Sequence, residues 1–178
     1  MSPSAEQVPV VALVDVTDPV LERLLAVALH DADADEVTPP LGTAAGWNTE
    51  RISWFRAYHH AAAAGIDGPA RQKSWAITAD GELAGSIRLA RVPATGAGPF
   101  TRDGGALETG IWLGRSFRGR GIGTEALRLV KAAAAAAGAD LLEAETTAGN
   151  TAAQALLRSL GAELAADGQR VKARFTLG

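Results

Sequence analysis

Residues 116–127 read SFRGRGIGTEAL. Glycines 119, 121 and 123 alternate with Arg118, Arg120 and Ile122, between the apolar LETGIWLG of 107–114 and the alanine run of 132–137. The pattern predicts a strand before the glycines and a helix after them, from about Ile122 to Ala137. A glycine turn from strand to helix lets backbone N–H groups approach a ligand closely. The helix start adds unpaired donors and the positive end of its dipole. Arg118 and Arg120 give the turn the same sign, since guanidinium binds phosphate oxygens bidentately and stays charged. A diphosphate suits this cradle better than a metal or an apolar group. A dinucleotide fingerprint would need Gly-x-Gly-x-x-Gly after the first strand, and an ATP-binding loop would need Gly-Lys-Ser/Thr. Neither is present. A tight turn with solvated arginines is the plain alternative, but it leaves the coincidence of glycines, cations, strand and helix without a reason.

Outward from this turn, the chain alternates strand and helix signals. VPVVALVDV (8–16) predicts a first strand. Apolar residues at 20, 21, 24, 25 and 28 predict a helix opened by Asp18 and Pro19. An acidic tract follows, and Pro39 and Pro40 stop any helix there. A second helix starts near Asn48 or Thr49, carries Ile52, Phe55, His59 and Ala62 on one face, and closes at Gly65. Residues 74–92 read as a hairpin turning at Asp80-Gly81, and 92–106 as a long glycine-containing loop. After the helix from Ile122 come a strand at 139–147, a helix at 150–161 and a hairpin around Asp167-Gly168. This order implies an α/β fold with a mixed sheet of about seven strands flanked by helices, in one domain over 1–178.

Bulk properties narrow the class. A chain of 178 residues with 47% hydrophobic composition can bury one sizeable core. A formal charge of -3 argues against a general nucleic-acid binder. With no cysteine, disulfides, thiolate metal sites and cysteine nucleophiles are excluded. The N-terminus lacks a basic region before its short apolar run, and the alanine run is too short to span a bilayer, so a cytoplasmic protein without a membrane segment is expected. His59 and His60 face different directions on a helix and His30 stands alone, so no metal is expected. Trp47, Trp54, Trp75 and Trp112 read as core or pocket walls rather than a stacking platform for bases.

Arg118-Gly119-Arg120-Gly121-Ile122-Gly123 resembles the Gln/Arg-x-x-Gly-x-Gly/Ala pyrophosphate loop of the GNAT superfamily of acetyl-CoA-dependent N-acetyltransferases. The likeness extends upstream through LETGIWLGRSF and downstream through EAETTAGNTAAQALLRSLGA, covering about Leu107 to Ala162. It implies a GNAT fold whose fourth and fifth strands splay apart to admit the pantetheine arm of acetyl-CoA. The coenzyme would be held by Arg118 through Gly123, Thr124 and Asn150, with a backbone N–H near Trp112 or Leu113 for the oxyanion. Asn150 is equally suited to cap the following helix. Many relatives carry a tyrosine seven residues beyond this asparagine as general acid; here Leu157 stands there, and Ala162 follows Gly161 where an aromatic is common. Tyr58, the only tyrosine, falls in the acceptor-side helical region.

Amine attack on a thioester needs a neutral amine and a group to take its proton. By resemblance Glu108 on the fourth strand and Glu145 on the fifth are the candidates, and Glu143 shares a strand face with Glu145 by the period of two. Each could instead pair with an arginine. For the acceptor, Asp31, Asp33, Asp35 and Glu36, with Trp47 and Tyr58 nearby in sequence, suggest carboxylates that hold ammonium groups beside aromatic faces. This implies a cationic small-molecule amine, an aminoglycoside or other basic antibiotic. A solvated acidic loop is the plain alternative. A ribosomal-protein or peptide N-terminus is the rival acceptor, and a non-catalytic CoA-binding module the rival class. A homodimer is compatible with all three.

Overall fold

The computed structural model describes residues 7–43, 45–92 and 105–178. In chain order the elements are β1 (Val11–Asp15), α1 (Asp18–Asp31), α2 (Ala34–Val37), α3 (Thr49–Ala62), β2 (Gln72–Ala79), β3 (Glu82–Arg91), β4 (Ala106–Leu113), α4 (Ile122–Ala136), β5 (Leu141–Thr147), α5 (Thr151–Ser159), β6 (Glu163–Asp167) and β7 (Arg170–Thr176). A 3-10 turn, Arg115–Phe117, joins β4 to the glycines. The seven strands form one sheet in the order β1-β2-β3-β4-β5-β7-β6, and only the β4–β5 pair is parallel. This is the mixed α/β architecture expected.

The helical periodicities bury the residues they should. In α1, Leu21, Leu24, Leu25 and Ala28 pack with Phe55 of α3 against one face of β2 and β3. On the opposite face Ile122, Ala126, Leu127, Val130 and Ala134 of α4 and Leu157 of α5 cover Ile87, Leu89, Leu107, Leu142 and Phe175. The sheet is therefore closed on both sides in its middle. Asp80 (φ 49) and Gly81 (φ 83) make the two-residue turn that joins β2 to β3. Among the departures from the sequence reading, β1 begins at Val11 rather than Val8, β2 at Gln72 rather than Ser74 and β5 at Leu141 rather than Ala139, and the acidic tract contains the short helix α2, which four residues cannot announce by periodicity. Most of the loop expected over 92–106 lies outside the described residues.

The feature that makes a site is a break in pairing. Between β4 and β5 the register runs only through Ala106↔Leu141, Leu107↔Leu142 and Glu108↔Glu143. Beyond Glu108, β4 continues to Leu113 and β5 to Thr147 without pairing with each other, so the two strands splay.

Candidate active site

A cleft of about 530 Å³ fills the gap between the splayed strands, lined by Thr109 to Leu113 of β4, Ala144 to Thr146 of β5, Gly123 and Leu127 of α4, and Leu156 and Leu157 of α5. Backbone direction follows from the unbroken β3–β4 register. The N–H of Val92 donates to Ala106 O, and that of Gly114 to Ala84 O, so the even-numbered residues of β4 turn their backbone groups toward β3. By alternation Thr109, Ile111 and Leu113 turn theirs toward β5, past the last paired residue. Of the two oxyanion donors expected, Trp112 and Leu113, only Leu113 turns its N–H toward the cleft.

The glycine turn reaches this cleft at Gly123, while Gly119, Arg120 and Gly121 line a separate pocket with Gln7, Val8 and Pro9. Gly119 and Gly121 adopt φ of 71° and 80°. As the N-cap of α4, Gly121 supplies no side-chain acceptor, so the first N–H groups of α4, on Ile122, Gly123 and Thr124, have no side-chain cap. Ile122 itself is buried beneath the turn. Arg120 lies over the Phe117 ring, 5.8 Å from its centroid, and has no carboxylate partner among the described residues. Arg118 points elsewhere: its guanidinium donates to Leu113 O (3.0 and 3.2 Å) and to Glu36 Oε2 (2.7 Å). A helix start without a side-chain cap, with Gly123 in the cleft wall and Arg120 in the pocket beside it, fits a diphosphate-bearing coenzyme. Asn150 caps α5, accepting from Ala153 N at 3.1 Å, and also lines the cleft. Leu157 is buried in the cleft wall where the resemblance would place a tyrosine.

A second cavity, about 230 Å³, opens on the α1/α3 side of the sheet. Its walls are Trp54, Phe55, Tyr58, His59, Ser86, Ile87, Arg88 and Trp112, and Glu36 and Val37 close one side. Both cavities are lined by Gly110, Ile111, Trp112 and Glu36, so they meet across β4. Tyr58 stacks on Trp54 (5.0 Å between centroids), and its buried hydroxyl has no hydrogen-bond partner. Burial pushes the Tyr58 phenol up to about 12; the nearby Arg88 opposes and Glu108 adds to the shift. Burial likewise pushes His59 down to about 4, so its ring is neutral at physiological pH while Nδ1 shares a 2.8 Å hydrogen bond with Ser74 Oγ. Trp54 is the pocket wall that the sequence allowed for, whereas nothing in the sequence marked Ser86, Arg88 or Thr109 as site residues. Thr109 has a buried, unpartnered hydroxyl in the cleft wall, and only the splay of β4 from β5 gives that position meaning.

The sequence-derived acids are placed as follows. Glu108 pairs with Arg88 (3.0 Å) and lines neither cavity. Glu143 is buried, in register with Arg174. Glu145 lines the cleft but pairs with Arg170 and, at 3.3 Å, with Lys172. The acidic tract is not a bare patch of carboxylates. Asp31 accepts from Ser116 N and Oγ, Asp33 pairs with Arg115, Asp35 with the buried Arg51 (2.8 Å) and Glu36 with Arg118. Trp47 lines neither cavity; its Nε1 donates to Ala32 O at 3.0 Å and its ring packs on the α1/α3 core. The tract's carboxylates thus pair within the chain, tying α1, α2 and α3 to each other and to the turn after β4. Among the described residues no group of three or more His, Asp or Glu is placed to hold a metal ion, and no helix is long and apolar enough to cross a membrane.

With this geometry in place, the sequence matches the acetyltransferase (GNAT) domain family over residues 23–163. No curated protein matches it. Among solved structures, Mycobacterium smegmatis RimJ in complex with a CoA disulfide superposes with a TM-score of 0.71 at 22% identity, covering 95% of this chain and 83% of that one. RimL, a ribosomal L7/L12 alpha-N-protein acetyltransferase in complex with coenzyme A, gives 0.70 at 16% identity and 97% coverage of each chain. The GNAT domain of S. lividans PAT gives 0.68 at 18% identity, covering 99% of this chain and all of that one.

Proposed function

The chain belongs to the acetyltransferase (GNAT) family, and from that premise we propose that it acetylates the α-amino group of a peptide or protein N-terminus. The coarser reaction follows from the family: the protein is an N-acetyltransferase with acetyl-CoA as co-substrate. Acetyl-CoA supplies the activated acetyl group. The remaining work falls to the residues of the chain. The Gly119–Thr124 turn and Arg120 hold the diphosphate, Asn150 and the odd-numbered backbone of β4 align the arm in the cleft, and Leu113 N–H faces the carbonyl oxygen whose charge grows as the amine adds. The acceptor amine enters from the α1/α3 side and meets the cleft at Gly110–Trp112.

The observation carrying the acceptor class is the form of the second cavity. At about 230 Å³ it falls below the roughly 300–1,000 Å³ that drug-sized ligands occupy. Its walls are aromatic, and Glu36 is its only carboxylate among the described residues. A narrow aromatic slot suits one amine with a short side chain. A polycationic aminoglycoside, the acceptor suggested by the acidic tract, needs several carboxylates without partners, and the tract holds its carboxylates against arginines and Ser116. The acceptor in the RimL neighbour's own description is a protein α-amine, which lends this reading support.

Thiol release from acetyl-CoA, with mass spectrometry of products, tests the proposal. The panel contains short peptides with unblocked N-termini, the same peptides N-blocked but containing lysine, polyamines and aminoglycosides. Turnover of the unblocked peptides and not of the blocked ones is expected. Turnover confined to aminoglycosides would return the function to a basic antibiotic, and CoA binding without turnover of any amine would make the protein a non-catalytic module.

A further inference from the structure

We propose that Glu36 is the general base that takes the proton from the acceptor ammonium. This rests on the acetyltransferase reading and deepens it, because neither strand glutamate occupies the place where the proton must be removed. The amine arrives through the α1/α3 cavity and the acyl group through the β4/β5 cleft, so the base must reach the junction of the two. Glu36 is the one carboxylate among the described residues that lines both. Glu108 lines neither, and Glu145 lines only the cleft, where two cations hold it.

The position of Glu36 is fixed by a two-step tether to the reacting strand. One nitrogen of Arg118 donates both to Glu36 Oε2 (2.7 Å) and to Leu113 O (3.0 Å). The carboxylate is therefore one guanidinium away from the residue whose N–H faces the cleft. Three further features suit the role. The side chain is 40% exposed, so a proton taken from the amine passes on to water. Arg118 binds through Oε2, which leaves Oε1 for the amine. The groups facing Glu36 across the two cavities are Arg118 from the turn after β4, Arg88 from β3, Tyr58 and His59 from α3 and Glu145 from β5. Of these His59 is neutral and Tyr58 stays protonated at working pH. Neither competes for the proton.

The step balances as follows. The acceptor ammonium gives one N–H proton to the Glu36 carboxylate, and its nitrogen lone pair forms the N–C bond to the acyl carbon. The C–S bond breaks with its electron pair leaving on sulfur, and the second nitrogen proton is lost as the thiol is protonated. Acetyl-CoA and ammonium become amide, CoA thiol and one proton that Glu36 releases to water.

The test compares Glu36→Gln, Glu36→Asp, Glu108→Gln, Glu145→Gln and Arg118→Ala, using whichever amine the wild-type protein acetylates. Glu36→Gln keeps an acceptor for Arg118, so calorimetric affinity for CoA and the melting temperature should match wild type. Its kcat should fall by about 10²–10⁴-fold, and the acid limb of the pH–rate profile should vanish; Glu36→Asp should retain the limb at reduced rate. Arg118→Ala should lower the rate but leave the limb, which separates a proton acceptor from a tether. An acid limb that survives in Glu36→Gln, or that disappears in Glu108→Gln or Glu145→Gln instead, overturns the assignment. Because the amine is chosen by wild-type turnover, a non-peptide acceptor would sink the peptide reading and leave this test intact; wild-type silence toward every amine would overturn both.

Discussion

Asp31, the last residue of α1, accepts two hydrogen bonds from Ser116, one from its backbone N–H (3.1 Å) and one from its hydroxyl (2.5 Å). The bond ties the acceptor-side helices to the turn that leads into the coenzyme loop. Gly114 is part of the same arrangement, since a Cβ there would lie 2.5 Å from Asp31 Oδ2. The obstructed atom is the end of a side chain, so Gly114→Ala should swing Asp31 away and break both bonds. Gly114→Ala and Asp31→Ala should each cost about 1 kcal/mol, and the double variant little more than either, because both remove one interaction. Additive losses in denaturant melts would show that the two residues act separately. The hydrogen bonds from Ser116 hold the Asp31 carboxyl below its ordinary range. The folded state therefore binds that proton less readily than the unfolded chain, and the contribution is present at neutral pH and lost as pH falls through the lowered value.

His59 predicts a second pH effect. Its ring is held down to about 4 by burial, against about 6.5 in an unfolded chain. Between those values the unfolded chain binds the proton and the folded protein does not, so stability falls as pH is lowered from neutral. The shift implies a loss of about 2 kcal/mol between pH 7 and pH 5. Urea melts at the two pH values measure it, and in His59→Asn the difference between them should shrink by that amount even if the variant is less stable throughout. An unchanged difference would place the acid sensitivity elsewhere.

Gly121 tests the coenzyme loop. Its φ of 80° is a left-handed conformation that disfavours L side chains, and a Cβ would press on Val8 Cγ1 at 3.3 Å. Gly121→Ala should cost about 1–2 kcal/mol of local strain and rotate the first N–H groups of α4 away from the cleft. Calorimetry should show CoA affinity reduced about tenfold or more with the acceptor KM little changed. An affinity equal to wild type would mean that the helix start does not hold the diphosphate.

The legibility of this chain divides along the same line as its chemistry. The glycine turn, the strand before it and the helix after it are local patterns, and the structure places all three where the residues put them. The buried faces of α1 and α3 were equally plain from periodicity. The acidic tract was legible as charge and illegible as function, because Asp33 and Glu36 find their arginines 82 residues away, at Arg115 and Arg118. Arg118 misleads in the complementary way: its sequence neighbours belong to the diphosphate turn, while its guanidinium turns back to β4. Arg51 was invisible for a related reason, since a buried guanidinium on an otherwise apolar helix face makes sense only once Asp35 of α2 folds over it. Of the second cavity only Glu36, Trp54, Tyr58 and Trp112 were named from the sequence as site or wall residues, and its shape was not legible because its walls come from α2, α3, β3 and β4.

Tyr58 is where these lines meet in a last prediction. Its hydroxyl is buried without a partner at the wall of the acceptor cavity. An unsatisfied buried hydroxyl costs about 1–3 kcal/mol, and stacking on Trp54 does not depend on it. Tyr58→Phe should therefore be as stable as wild type or up to about 1 kcal/mol more stable when the acceptor is absent. Retention of an unpaired hydroxyl is explained if the acceptor supplies the partner, in which case the variant should raise the acceptor KM about tenfold, the equivalent of one hydrogen bond, with kcat nearly unchanged. With its phenol at about 12, Tyr58 does not titrate across the working range, so the basic side of the pH–rate profile should be the same in both proteins up to pH of about 10. A collapse of kcat with an altered basic limb would make Tyr58 a proton donor to the reaction instead of a hydrogen-bonding wall of the acceptor site.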